Sequence, residues 1–469
     1  MFFRQYYLGC LSHASYLIGD TSSGRAIVVD PQRDIDGYLT DAAAAGLTIE
    51  RVLETHFHAD FLSGHLELAE ATGAVISFGE QAAGRTEFAM EPVAHGQRIS
   101  LGEVELEILA TPGHTPESIS IVVRETPEAA PYGVLTGDTL FIGDVGRPDL
   151  LSSVGVSADG LARQLYHSLH EQLMTLPDDT KLYPAHGAGS ACGKNLSTET
   201  VSTIGEQRRT NYALAPMTED QFVAAVTQGQ AAAPLYFLFA ANKNREARDL
   251  LHEHEQVNAL SLDAVLNAQR AGAAVVDTRD AADFAAGHLR GSINIGLGGR
   301  FAEYTGEVVR PGTPIVLIGD DDHDIEARVR LSRIGFDTVL GALDKPMQAF
   351  VERPDVVDVA SRLTAEQLRQ RRHTLESVQV VDVRGPGEIE AGMIDGATHI
   401  QLPSLLERMG DLDPNVPTVV YCAGGYRSSI AASTLRSHGF ADVSDVLGGF
   451  GAWEAMIASG PADGERTQQ

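Results

Sequence analysis

The run Thr55-His56-Phe57-His58-Ala59-Asp60-Phe61 places two imidazoles and a carboxylate at alternating positions. It follows an apolar, strand-like segment, Arg51-Val52-Leu53-Glu54, so these side chains stand on a loop at a strand end. Nitrogen and oxygen donors held by loops on a rigid sheet are what a metal ion requires. Three further donors have similar settings. His114 lies in Thr111-Pro112-Gly113-His114-Thr115-Pro116, Asp138 closes Gly133-Val134-Leu135-Thr136-Gly137-Asp138, and His186 lies in Tyr183-Pro184-Ala185-His186-Gly187. Any one of them alone would read as a core or capping residue, whereas the set, ordered at strand ends, points to a metal site.

A second chemistry sits far downstream, in Val419-Val420-Tyr421-Cys422-Ala423-Gly424-Gly425-Tyr426-Arg427-Ser428-Ser429. A cysteine at a strand tip, a short glycine loop and a helix start form a nest of backbone N–H groups around the sulfur. Such a nest favours an anionic sulfur, whether thiolate or persulfide. A second thiol is Cys192, six residues after His186 and followed by Gly193-Lys194. Its position suggests the mouth of the metal site, with Lys194 favouring a thiolate or drawing in an anionic substrate. Cys10, near a strand-like start, reads as core.

The elements that position these groups are α/β. Ala26-Ile27-Val28-Val29, Val104–Leu109 and Ile119–Val123 read as strands, and Leu161, Leu165, Leu169, Leu173 and Leu176 mark one amphipathic helix. Residues 200–256, with charged and Ala-rich pieces, read as a tail and linker that close a first domain at 1–250. The C-terminal half repeats itself. Val275-Val276-Asp277-Thr278-Arg279 with Gly287-His288-Leu289-Arg290-Gly291 parallels Val380-Val381-Asp382-Val383-Arg384 with Gly392-Met393-Ile394-Asp395-Gly396. Strands alternating with helices imply two small domains with parallel sheets, at 258–352 and 362–460.

Residues 1 to about 200 resemble the metallo-β-lactamase superfamily and, within it, the persulfide dioxygenases. The segments that carry the likeness are Thr55–Asp60, Thr111–Thr115 and Gly137-Asp138-Thr139-Leu140-Phe141-Ile142-Gly143-Asp144-Val145-Gly146-Arg147-Pro148-Asp149. The resemblance implies an αββα sandwich holding one Fe(II) per chain on His56, His114 and Asp138. Two imidazoles and a carboxylate form the facial triad that leaves room for O₂ and substrate. His58, Asp60 and His186 then support the ligands, and Arg147, like Cys192 and Lys194, is a candidate for substrate contact. Phe61 departs from the superfamily's H-x-H-x-D-H signature, whose last His helps hold a second metal. A glyoxalase II-type zinc hydrolase, acting on a thioester, would need that ligand beside Asp60 and His186. His65 would replace it only from a helical segment.

The repeats resemble rhodanese sulfurtransferases, whose loop reads C-x-x-G-x-R, matched by Cys422, Gly425 and Arg427. The first repeat has Ile318-Gly319-Asp320-Asp321-Asp322-His323-Asp324 in that place. It resembles an inactive rhodanese whose acidic loop is solvated or serves as an interface. The whole chain resembles fused persulfide dioxygenase–sulfurtransferases of sulfide detoxification. That implies low-molecular-weight persulfides, O₂, sulfite and thiosulfate as small-molecule partners, with sulfur transfer possible in either direction. Glutathione, coenzyme A and bacillithiol all qualify as the carrier thiol. A persulfide carrier or sensor without catalysis is the remaining class.

Charge and composition bound the rest. A formal net charge of -29 over 469 residues argues against nucleic acid and acidic membranes as partners. Three cysteines make no disulfide framework and fit a reducing compartment. With no secretory pattern at Met1–Tyr6, the cytoplasm is the expected location, and a homo-oligomer the expected assembly.

Overall fold

The computed structural model describes residues 1–150, 155–194, 196–320 and 323–459. Asp321 and Asp322 of the acidic loop lie outside the described residues. Two compact units divide the chain: Met1–Glu253 together with the turn Ser332–Gly335, and the remainder.

The first unit stacks two six-stranded sheets. One runs β1 (Phe2–Leu8), β2 (His13–Asp20), β3 (Arg25–Val29), β4 (Thr48–Leu53), β5 (Val75–Gly79) and β6 (Glu91–Val93) in that order. The other runs from β7 (Arg98–Ser100) through β8 (Glu105–Ala110), β9 (Ile119–Arg124), β10 (Gly133–Gly137) and β11 (Lys181–Pro184) to β12 (Ser202–Thr203). Alternate residues of the two sheets face each other and close a dry core. Tyr16, Ile18, Ile27 and Val29 come from one side, and Leu106, Ile108, Ile121 and Leu135 from the other. The opposite faces bury Val28 and Val52 under the helix Asp36–Ala44, and Val122, Val134 and Leu182 under the helix Ala158–His167. This is the αββα sandwich of the metallo-β-lactamase fold.

The leucine stripe is buried at 161, 165, 169 and 173, while Leu176 is half-buried. A spacing of four drifts off a 3.6-residue helix, and the chain corrects this with a π-helical turn at Ser168–Gln172. Residues 200–256 differ from the expected linker. They form helices at Ile204–Thr210, Glu219–Thr227 and Phe237–Lys243, and Ile204, Phe222 and Val226 complete the core under β10 and β11.

The second unit holds the repeat. One sheet orders β13 (Ala259–Leu260), β14 (Ala274–Asp277), β16 (Ile293–Asn294), β17 (Ile315–Ile318) and β18 (Val339–Leu343) as β13-β18-β17-β14-β16. The other orders β20 (Ser361–Leu363), β21 (Gln379–Asp382), β22 (Thr398–His399), β23 (Thr418–Tyr421) and β24 (Val443–Val446) as β20-β24-β23-β21-β22. A short pair, β15 (His288–Leu289) with β19 (Val357–Asp358), lies beside the first sheet. Every pair within the two large sheets is parallel, so strand ends and their loops collect at one edge.

One residue of the supposed linker fixes the metal loop. Asn244 donates from Nδ2 to the carbonyls of His58 (2.8 Å) and Phe61 (2.7 Å) and accepts from the Ser63 N–H at 2.9 Å. Nearby, the Tyr236 hydroxyl donates to the Asp60 carbonyl at 3.0 Å. Asn244→Ala would strand three buried backbone groups. It should lower stability by about 2–4 kcal/mol in urea unfolding; an unchanged midpoint would mean that the loop holds itself.

Candidate metal centre and sulfur-transfer loop

Four strand ends build the first site. His56 follows β4, His114 follows β8, Asp138 follows β10 directly, and His186 follows β11. Backbone bonds stitch these ends together: the Ile119 N–H donates to the Thr55 carbonyl at 2.9 Å, and the Ala185 N–H to that of Gly137 at 3.1 Å. All of these side chains are buried.

His56, His114 and Asp138 offer ligand atoms within 4.8 Å of one another. His56 Nε2 lies 3.8 Å from Asp138 Oδ2, and His114 Nε2 lies 3.5 Å from the same oxygen. The surroundings determine which nitrogen is free. His114 Nδ1 is 2.9 Å from the Arg147 carbonyl, which only accepts, so Nδ1 carries the proton and Nε2 the lone pair. The Thr55 hydroxyl donates its one hydrogen to Asp30 Oδ2 (2.9 Å), so it accepts from His56 Nδ1 at 2.9 Å. Again Nε2 is left as the donor atom. Burial, then the neighbouring imidazolium of His58, keeps His56 neutral by pushing its pKa well below the usual value. Asp138 is held ionised against burial chiefly by the charged His186. His186 Nδ1 takes Asp138 Oδ1 at 2.7 Å, leaving Oδ2 for the cluster. His56 Nε2 and Asp138 Oδ2 are buried with no hydrogen-bond partner among the described residues. Unpartnered ligand atoms of this kind, converging from three strand ends, fit a metal ion.

The other predicted residues form two adjoining clusters. His58 Nε2 sits 3.0 Å from Asp30 Oδ1 and 3.4 Å from Glu54 Oε2. Burial opposes its charge, but the two carboxylates overcome this and raise it to about 10. It is a counterion here. Asp60, His186 and Cys192 make up the third cluster. His186 Nε2 lies 2.7 Å from Asp60 Oδ2 and, despite burial, is held protonated by Asp138 and Asp60. His65 is not brought to the position of the missing ligand; its Nδ1 lies 3.4 Å from Glu54.

Two expectations change. Lys194 donates from Nζ to the carbonyls of Ala225 (2.6 Å) and Gln228, not to the thiol. Burial first, then Asp60 and Asp138, raises the Cys192 pKa well above its usual value, so Lys194 does not make it a thiolate. Arg147 is clamped on Asp149 at 2.7 and 2.8 Å, so its side chain braces a loop and its carbonyl orients His114. The sequence reading missed His13. Its ring is buried 3.9 Å from that of Phe61 and 5.7 Å from that of His186, and a histidine opening an otherwise apolar strand was the one available signal.

In the second unit, Cys422 follows β23 and is buried. Its sulfur accepts from the Gly425 N–H at 3.1 Å and lies 3.7 Å from Ser428 Oγ. Arg427 pairs bidentately with Glu388 at 2.6 and 2.7 Å. In the first repeat, β17 pairs with β14 as β23 pairs with β21, which puts Gly319 where Cys422 stands. A Cβ there would meet Thr278 Oγ1 at 2.4 Å, so the Thr278 hydroxyl takes up the space a side chain at this position would need.

Comparison with known proteins agrees with this division. A model of the metallo-beta-lactamase superfamily matches residues 8–186, and one of the rhodanese-like domain matches residues 261–353 and 364–456. The chain belongs to the metallo-β-lactamase superfamily and carries tandem rhodanese-like domains after that fold. Its N-terminal part is 33% identical over 200 residues to the persulfide dioxygenase ETHE1, mitochondrial, of Homo sapiens, covering 42% of this chain and 69% of that protein. It is 37% identical over 173 residues to the hydroxyacylglutathione hydrolase of a Polaromonas species, covering 37% of this chain and 61% of that protein. A solved metallo-beta-lactamase from Staphylococcus aureus subsp. aureus COL superposes with a TM-score of 0.66 at 35% identity, covering 73% of this chain and 98% of that one. The chain spans about half the length of some other curated relatives, the beta-lactamase hydrolase-like proteins.

The hydroxyl of Thr55 can be tested directly. Thr55→Val keeps the shape and removes the acceptor that orients His56, so metal affinity should fall by roughly 10–100-fold. Competition titration against a chelator measures it, and wild-type affinity would refute the orientation argument.

Proposed function

We propose that the chain is a non-haem Fe(II) persulfide dioxygenase joined to a rhodanese-type sulfurtransferase. The observation that carries this reading is the cluster of two neutral imidazole nitrogens and one carboxylate oxygen, at His56, His114 and Asp138, in a chain that also presents a nested thiol. When bound there, Fe(II) supplies open coordination positions and redox chemistry suited to O₂ and a sulfur substrate. The balance is R–S–SH + O₂ + H₂O giving R–SH and sulfurous acid, which ionises to sulfite.

The protein's part is to hold and orient. Thr55 and the Arg147 carbonyl fix the two imidazoles, His186 turns the Asp138 carboxylate, and Asp60 holds His186. In the second unit the Cys422 thiolate attacks the outer sulfur of a second persulfide. The S–S bond breaks, R–S⁻ leaves and takes a proton, and the Gly425 N–H steadies the new cysteine persulfide. Sulfite then takes the outer sulfur, giving thiosulfate and regenerating Cys422. Arg427 stands at the loop's end in a bidentate pair with Glu388, which fixes its guanidinium beside the loop and offsets its charge.

A glyoxalase II-type hydrolase is the second reading, favoured by the Asp60–His186–Cys192 cluster beside the first. Metal analysis and oxygen uptake separate the two. The protein loaded with one Fe(II) should consume O₂ and form sulfite with a low-molecular-weight persulfide. Cys422→Ser should abolish thiosulfate formation and leave O₂ uptake intact. Two bound zinc ions with thioester cleavage and no O₂ uptake would select the hydrolase instead.

A further inference from the structure

The catalytic loop carries two adjacent glycines, Gly424 and Gly425, and Gly425 adopts φ +110°. Its own repeat holds the carbonyls of Cys422 and Ala423, which accept from the Phe450 and Gly451 N–H groups at 2.7 and 3.3 Å, and that of Gly425, which accepts from Ser428 Oγ at 3.1 Å. Tyr426, which opens the following helix, is held from the other repeat as well. The Tyr426 hydroxyl donates to the Gly296 carbonyl at 2.5 Å. The ring lies against Gly299 so closely that a Cβ there would fall 2.6 Å from Cε1 and 2.8 Å from Cζ. Tyr304 meets the same ring edge-on, with centroids 5.4 Å apart.

This recess is itself braced. Arg330 donates to the carbonyls of Leu297 and Gly299, both at 2.5 Å. One turn along the helix Tyr426–Ser437, Ser429 Oγ bonds Asn294 Oδ1 at 2.7 Å, and Ser433 Oγ accepts from the Asn294 N–H at 3.0 Å. The thiol-free repeat therefore grips the one residue between Gly425, whose N–H touches the sulfur, and Arg427.

We propose that the first rhodanese-like repeat is a socket for the catalytic loop, and that Tyr426 is a positioning residue acting through it on the geometry around Cys422. The proposal rests on the sulfurtransferase reading above. With both loop ends fixed, the N–H nest is preorganised and no chain entropy is lost during transfer. With Tyr426 released, only the bonds of its own repeat hold Gly425, and its N–H loses part of the restraint that aims it at the sulfur. The reaction step suffers, while donor binding changes little.

Gly299→Ala fills the socket from its own side, and Tyr426→Phe keeps the ring but removes its hydroxyl. With a persulfide donor and sulfite acceptor, Gly299→Ala should lower kcat for thiosulfate formation by on the order of a hundredfold. KM and thermal midpoint should stay near wild type. Tyr426→Phe should lose about fivefold, the worth of one hydrogen bond. A folded Gly299→Ala protein with wild-type kcat overturns the socket alone. If Gly299→Ala does not fold, Tyr426→Phe decides, and an unaltered kcat overturns the proposal. A wild-type chain that transfers no sulfur overturns the sulfurtransferase reading and the socket with it.

Discussion

The first unit depends on the hydrogen bond from the Thr55 hydroxyl to Asp30. That hydroxyl has one hydrogen, and where it goes determines which nitrogen of His56 is left bare. Asp30 accepts from the Thr55 N–H (2.7 Å), the Thr55 hydroxyl (2.9 Å) and His58 Nε2 (3.0 Å). It does so from the end of β3 in a left-handed conformation, φ +49°, that few side chains tolerate. Three hydrogen bonds, one of them from the buried His58 imidazolium, offset part of the cost of burying that carboxylate, and burial still leaves its pKa above the usual value. The two histidines of the H-x-H run are thus not equivalent. One carries the free nitrogen, and the other neutralises the residue that keeps it free.

The second unit shows one frame put to two uses. In both repeats an aspartate at the end of the inner strand clamps an arginine two residues on, Asp277 with Arg279 and Asp382 with Arg384, at 2.6 Å each. These buried pairs fix the loop edge whether or not a nucleophile stands there. What differs is the loop itself. Cys422 has a nest, while Gly319 has Thr278 against it. The thiol-free frame instead meets the Tyr426 ring with Gly296 and Gly299.

Much of this was legible from sequence because metal and sulfur chemistry use few residue types at fixed strand ends. His56, His58, Asp60, His114, Asp138, His186 and Cys422 stood out by type and setting, the family resemblance chose His56, His114 and Asp138 among them, and the sheets followed from alternation. Contacts supplied from far along the chain were not legible. Asn244 reaches the metal loop from 186 residues beyond His58, in a segment whose composition reads as linker. Asp30 ends an apolar strand like any turn residue. The direction of Lys194 was hidden as well, because two carbonyls of a helix end, unmarked in sequence, capture its ammonium. Tyr426 looked like the variable position of its motif, and its role depends on glycines in the other repeat.

Position 61 then takes on a fuller meaning than a missing ligand. The Phe61 ring is buried, 3.9 Å from the ring of His13 and 4.4 Å from that of His58. It presents apolar surface to both imidazoles. Its carbonyl still accepts from Asn244, so the backbone of the loop is kept while the donor is gone. The remaining members of a second metal site are only partly committed. His186 gives Nδ1 to Asp138 in a 2.7 Å bond that leaves Oδ2 for the first site, while its Nε2, 2.7 Å from Asp60 Oδ2, is buried with no hydrogen-bond partner among the described residues. A second ion at that Nε2 would have only Asp60 and Cys192 beside it. The ligand that would compensate is the one position 61 no longer provides.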